Sequence, residues 1–342
     1  MPSLKEIKGR INSISSTLAI TSAMKMVAAA KLQKAQMAIQ NMLPYERRLH
    51  SMLIDLMGAV NMSAPASEEG SARLVSLSNQ PDHTESEGAY SLMAQRQVRK
   101  VAIVAFASNS SLCGAFNSNV IREATAVINE YRASGLGDAD ITVYSVGRKM
   151  AEAMRKLGFP SPADFTKMSD SPSYDAASAL AQELFDGFVS GRFDKVELVY
   201  NHYKSTSSQP TTRQTYLPLS LADATADIQV GKITGSASEP YADKVAEPVV
   251  RQNSPTTETP DLIVEPSKEE LIATLLPKVV RLRVFTTLLD STAAEHAART
   301  VAMQLATDNG NDLLQELTLE YNKGRQQKIT SEILDIVGGS LQ

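Results

Sequence analysis

Residues 4–42 read LKEIKGRINSISSTLAITSAMKMVAAAKLQKAQMAIQNM. Leu4, Ile7, Ile11, Ile14, Leu18, Thr21, Lys25, Ala28, Leu32, Ala35, Ile39 and Met42 recur at alternating steps of three and four. Only Thr21 and Lys25 among them are polar, and the pattern resumes at Leu49, Leu53, Leu56 and Val60. A heptad held this long predicts a coiled-coil seam rather than an ordinary surface helix. Ser3 and Glu6 supply a capping box at its start, and a helix over 3–58 would reach about 84 Å. Pro44 falls inside it as a candidate kink.

The other end of the chain mirrors this reading. Ser267 and Glu270 form a second capping box just after Pro266. Steps of seven from Leu275 give Leu282, Leu289, His296, Met303, Gly310, Leu317 and Gly324. This seam is less regular, and its small residues favour close helix approach. Gly338 and Gly339 are expected to stop a helix of about 106 Å. Neither helix can bury its stripe alone, so the two are expected to pair antiparallel, with everything between them inserted near one end.

The middle alternates. Val101 to Ala107, Ile141 to Val146 and Val196 to Tyr203 are short β-rich apolar runs. Helical stretches at Val120 to Arg132, Lys149 to Leu157 and Asp175 to Phe188 lie between them. This order predicts a small parallel sheet with right-handed crossovers, to which Thr215 to Leu219 adds an edge strand. Residues 61–97 and 222–264 are rich in Ser, Pro, Thr and acidic residues without periodicity and read as loops. The expected fold is therefore α/β: a long antiparallel coiled coil of the terminal helices with an inserted Rossmann-like α/β domain. The expected divisions are a shaft helix at 1–60, a loop at 61–97, the α/β domain at 98–220, a loop at 221–265 and the second shaft helix at 266–342.

Composition narrows the function. A net charge of −4 argues against a nucleic-acid binder. The single Cys excludes an internal disulfide and fits a reducing compartment. There is no signal-peptide core or transmembrane run, so the expectation is a soluble, cytoplasmic chain. Residues 1–43 carry six Lys and Arg against Glu6 alone. Such a stripe is either a solvated helix face or a surface steered towards an acidic protein. Eight of the 13 Met fall within the first 62 residues, as core filler or as an adaptable contact surface.

A search for catalytic motifs returns almost nothing. There is no phosphate loop, no G-x-G-x-x-G after the first strand and no nucleophile elbow. His50, His83, His202 and His296 lack metal-ligand spacing, and His296 falls on the seam as a polar spacer. Cys113 follows a strand beside Gly114, where a small buried residue is preferred over a reactive thiol. No cofactor or metal is expected.

Several longer motifs carry a resemblance. Ile20-Thr21-Ser22-Ala23-Met24-Lys25-Met26-Val27-Ala28-Ala29-Ala30-Lys31-Leu32 resembles the N-terminal signature of the gamma subunits of F-type ATP synthases, bacterial type. The run from Glu320 to Ile333 resembles that family's terminal signature, and Ala306 to Gly310 and Leu112 to Asn117 match between them. Asn109, Ser110 and Ser111 replace the family's acidic-basic-Gly triplet, Ala19 replaces a common Lys, and Gln327 and Lys328 replace a small pair.

The resemblance implies a rotor shaft, not an enzyme. Its two helices would stand inside a ring of alternating alpha and beta subunits, with the α/β domain near the epsilon subunit and the membrane c ring. The chain would bind no nucleotide, no cofactor and no nucleic acid. It would lie peripherally at the cytoplasmic face of the bacterial cell membrane, touching the membrane only through the c ring. Met24 and Lys25 would face the beta subunits, Arg325, Gln326 and Thr330 would contact the ring, and Leu112, Cys113 and Gly114 would form a family turn. Thr21 and Lys25 would give up seam packing to present polar groups to the ring. The coupling ion, proton or sodium, is left open. Two alternatives stand beside this one: a regulatory coiled-coil protein with an inserted α/β module, and a Rossmann-like enzyme.

Overall fold

A computed structural model describes residues 3–62, 92, 96–219, 265 and 267–339. The two long loops expected at 61–97 and 222–264 lie largely outside the described residues. Helix α1 runs Leu4–Met62 and helix α6 runs Lys268–Gly339. Their 59 and 72 residues correspond to about 88 and 108 Å. Each begins at its expected cap, with Ser3 Oγ accepting from the Glu6 N–H at 3.3 Å and Ser267 Oγ from the Glu270 N–H at 3.2 Å. Helix α6 runs to Gly339, the last described residue, so the expected stop at Gly338 and Gly339 falls at the edge of the described residues.

The two helices pair antiparallel in a constant register. A methyl on Gly324 would meet Leu4, one on Gly310 would meet Leu18, and Thr21 meets Thr307. Fourteen residues along one helix thus match fourteen along the other. Every described position of both predicted seams is buried or half-buried, including Thr21, Lys25 and His296.

Between them, strand β1 (Val101–Phe106), helix α2 (Phe116–Ala133), strand β2 (Ile141–Val146), helix α3 (Arg148–Lys156), helix α4 (Thr166–Asp170), helix α5 (Tyr174–Val189), strand β3 (Lys195–Asn201) and strand β4 (Thr211–Leu217) follow in order. The sheet order is β2-β1-β3-β4, parallel for the first three strands and antiparallel at β4. Strand β4 lies four residues earlier than expected at its start and ends at Leu217, because Pro218 has no N–H to continue a ladder. The short helix α4 was not anticipated; five residues are too few for helical periodicity to show.

Strand β1 is buried along its whole length, and its alternate residues serve two cores. Val101, Ile103 and Ala105 pack with Val120, Ala124, Val127, Met150 and Met154 of α2 and α3. Ala102, Val104 and Phe106 pack with α5 and with the lower shaft, through Leu49, Leu53 and Leu56 of α1 and Leu276, Val280 and Leu288 of α6. The base of the shaft is thus one wall of the α/β core.

Candidate functional site

Above the sheet the shaft is a bare helix pair. Met24 and Lys25 are half-buried there, Lys25 in register with Met303, while Ile20, Met26 and Val27 are exposed. Thr21 does not face outward as expected. Its hydroxyl bonds the Leu18 carbonyl at 3.1 Å and meets the Thr307 hydroxyl at 3.2 Å, so the polar position is satisfied within the seam, where an unpaired hydroxyl would be costly.

Arg325, Gln326 and Thr330 are all exposed, and the Thr330 hydroxyl turns back to the Gln326 carbonyl at 2.9 Å. The structure does not bring them to the level of Met24 and Lys25. Leu4 already stands opposite Gly324, so Arg325 lies about 33 Å along the axis from Lys25 and beyond the start of α1. From there, among the described residues, α6 projects without α1 beside it for about 22 Å. Ile329, Ile333, Ile336 and Val337 recur at helical spacing along this tip and are 47%, 55%, 72% and 51% exposed. An exposed apolar surface of this extent marks an interaction site.

The family turn occupies the junction between sheet and shaft. Cys113 is buried against Leu32, Ala35, Ala293, Ala294 and Ala297, and Gly114 at φ +59° approaches Ala302. Leu112 adopts φ +69°, alone among the described non-glycine residues, and is 61% exposed. Bulky residues avoid that region, so the turn must be held by its neighbours. Ser108 Oγ donates to the Ser110 carbonyl at 2.6 Å, and Asn117 Nδ2 donates to the same carbonyl at 3.2 Å. The residues that depart from the family motif have partners of their own. Asn109 Oδ1 accepts from the Arg148 N–H at 2.8 Å at the start of α3. Arg299 Nη1 and Nη2 donate to the Ser111 carbonyl at 2.6 Å and to Ser110 Oγ at 2.8 Å.

A second contact lies where β3 ends. His202 Nδ1 is 2.6 Å from Asp290 Oδ2, and the Tyr203 N–H donates to Asp290 Oδ1 at 2.8 Å. Gln36 of α1 donates to the Tyr203 hydroxyl at 2.7 Å. The hydrogen bond and charge of Asp290 hold the His202 imidazole above its ordinary range, against burial and nearby Lys204. His296 moves the other way: burial lowers it, Lys31 and Arg299 add to that, and Glu295 opposes. Sequence reading missed Arg299, Glu295, Asp290 and the His202–Tyr203 pair. A Glu and Arg at i and i+4 among Ala293, Ala294, Ala297 and Ala298 was the available signal.

Among the described residues no group of three or more His, Cys, Asp or Glu is placed to hold a metal, and no helix is long and apolar enough to cross a membrane. The fold defines a shaft protein: a long antiparallel helix pair carrying an inserted α/β domain. The family model for ATP synthase matches residues 3–341. The chain is 48% identical to the ATP synthase gamma chain of Phocaeicola vulgatus and 36% identical to that of Flavobacterium psychrophilum, with at least 98% of each chain covered. It belongs to the ATP synthase gamma chain family. In fold it is similar to a chain of the Euglena gracilis mitochondrial ATP synthase, at 18% identity and a TM-score of 0.54, covering 98% of this chain and 92% of that one.

Proposed function

We propose that this chain is the central rotor shaft of an ATP synthase. Ion flow through a c ring turns the α/β domain and the helix pair together inside a ring of alpha and beta subunits. The observation that carries this reading is the asymmetric shaft: one helix outruns the other and ends in an exposed apolar tip. A shaft with unlike faces interacts unequally with three chemically identical beta subunits. It biases their open and closed states differently, and rotation passes that bias from site to site. The tip from Arg325 onward sits within the ring, where the exposed Arg325, Gln326 and Thr330 contact it, and Met24 and Lys25 meet the beta subunits lower down. The epsilon subunit and c ring engage the α/β end, at the cytoplasmic face of the bacterial membrane. Bond chemistry belongs to the complex, not to this chain.

Co-expression with alpha and beta subunits tests this, and a stable complex with ATPase activity is expected. A purified chain that stays apart from those subunits would sink the reading. Arg325→Ala with Gln326→Ala should lower ATP-driven proton pumping while leaving the fold intact, since both side chains are exposed. Unchanged pumping would remove these two residues from the contact.

A further inference from the structure

The carboxyl edge of a parallel sheet is where α/β folds ordinarily receive a ligand. Here that edge receives the shaft. Phe106, Ala107 and Val146 at the ends of β1 and β2 line a small cleft closed by Leu288, Ser291 and Glu295 of α6. Most of the nearby contact is smooth and apolar, provided by Cys113 and Phe116 against Ala293, Ala294 and Ala297. Two polar ties interrupt it at this level; nearer the base, Tyr216 also donates to the Val280 carbonyl at 2.9 Å and Arg281 to Gln182 Oε1 at 2.6 Å. Arg299, itself held by Glu295 at 2.5 Å, grips Ser110 and the Ser111 carbonyl. Asp290 takes both His202 and the Tyr203 N–H, and Gln36 reaches Tyr203 from the other helix.

The geometry points to these ties as a torsional key between the α/β domain and the shaft, with Asp290 and Arg299 as positioning residues that transmit rotation. This rests on the rotor reading above. A torque about the shaft axis loads the junction sideways. Apolar burial is non-directional, and the alanines at this level offer few ridges to catch. Hydrogen bonds to charged groups are short and directional, so sliding by an ångström or two breaks them. Asp290 and Arg299 are nine residues apart on one helix, about 13.5 Å along the axis. Two ties at that spacing resist tilting as well as turning. The tie from Gln36 engages α1, so both helices of the pair are held to the domain.

The test uses the assembled enzyme in membrane vesicles, reading ATP hydrolysis and ATP-driven proton pumping together. Asp290→Ala with Arg299→Ala is expected to keep hydrolysing ATP but to lose most of its pumping per ATP. Arg299→Lys, which keeps one donor, should recover part of it. Asp290→Asn with Arg299→Lys, which keeps the size of each side chain, supplies a second arm should the alanine variant fail to fold, and it should lose part of its pumping per ATP. Wild-type pumping per ATP by whichever double variant folds would overturn the key. Failure of the natural chain to assemble or pump would instead count against the rotor reading.

Discussion

Gly310 sits where Leu18 of α1 presses directly on the backbone of α6, and replacing it measures that closeness. A methyl there would fall 2.6 Å from Leu18 Cδ2 and 3.2 Å from its Cγ. Leu18 must move, and being half-buried it can swing outward at some loss of packing. Alanine for glycine in a helix interior contributes about 1 kcal/mol; overpacking costs about 1–3 kcal/mol. Gly310→Ala should therefore fall between neutral and about 2 kcal/mol destabilising. Leu18→Ala removes all three side-chain atoms that a methyl at 310 would meet. In that background Gly310→Ala should stabilise by about 1 kcal/mol. The double-mutant cycle should return a coupling of about 1–3 kcal/mol. Gly9, on an exposed helix face with nothing within 4 Å of a built Cβ, is the control: Gly9→Ala should stabilise by about 1 kcal/mol. Urea unfolding followed by far-ultraviolet circular dichroism gives each value. If Gly310→Ala stabilised by the same amount with and without Leu18, the close-set register would be refuted.

Two other sites give firm expectations. Gly147, at φ +95° and ψ 143°, would place a Cβ 2.1 Å from the Ala107 carbonyl oxygen. Gly147→Ala therefore combines a backbone cost of about 1–3 kcal/mol with displacement of the end of β1, and should lower soluble yield and Tm sharply; an unchanged Tm would contradict the geometry. His202 is raised in the folded state by Asp290, so its pairing stabilises fully below the unfolded pKa of about 6.5 and is lost as pH rises through the folded value. The Tm difference between the natural chain and His202→Gln should be largest in acid and shrink as pH rises past that point. A difference independent of pH would mean that the pair contributes no ionic stabilisation.

The long helices were legible because periodicity over many heptads is a local property of the chain. Leu4 to Met42 and Leu275 to Gly324 announced both seams, and even Thr21, Lys25 and His296 stand where the count puts them. The strands were legible from runs such as 101–107 for the same reason. What misled was the meaning given to Thr21. A hydroxyl on a seam reads as an interruption until its partner is known, and Thr307 lies 286 residues away. The exposed apolar tip was present in the sequence as Ile329, Ile333 and Ile336, but a stripe is bare or covered only according to where the other helix begins.

By itself, then, the sequence determined two long amphipathic helices, an α/β unit between them and the motifs of one family, because each depends on spacing along the chain. Only the tertiary structure decided the register that leaves α6 alone from Arg325, and the use of the lower shaft as a wall of the sheet's core. It also brought Arg299 to Ser110 and Ser111, and Asp290 to His202 and Tyr203. Those contacts join segments 87 to 189 residues apart, and at such separations no local pattern selects a partner. The choice is made when both faces of the sheet and both seams are buried together.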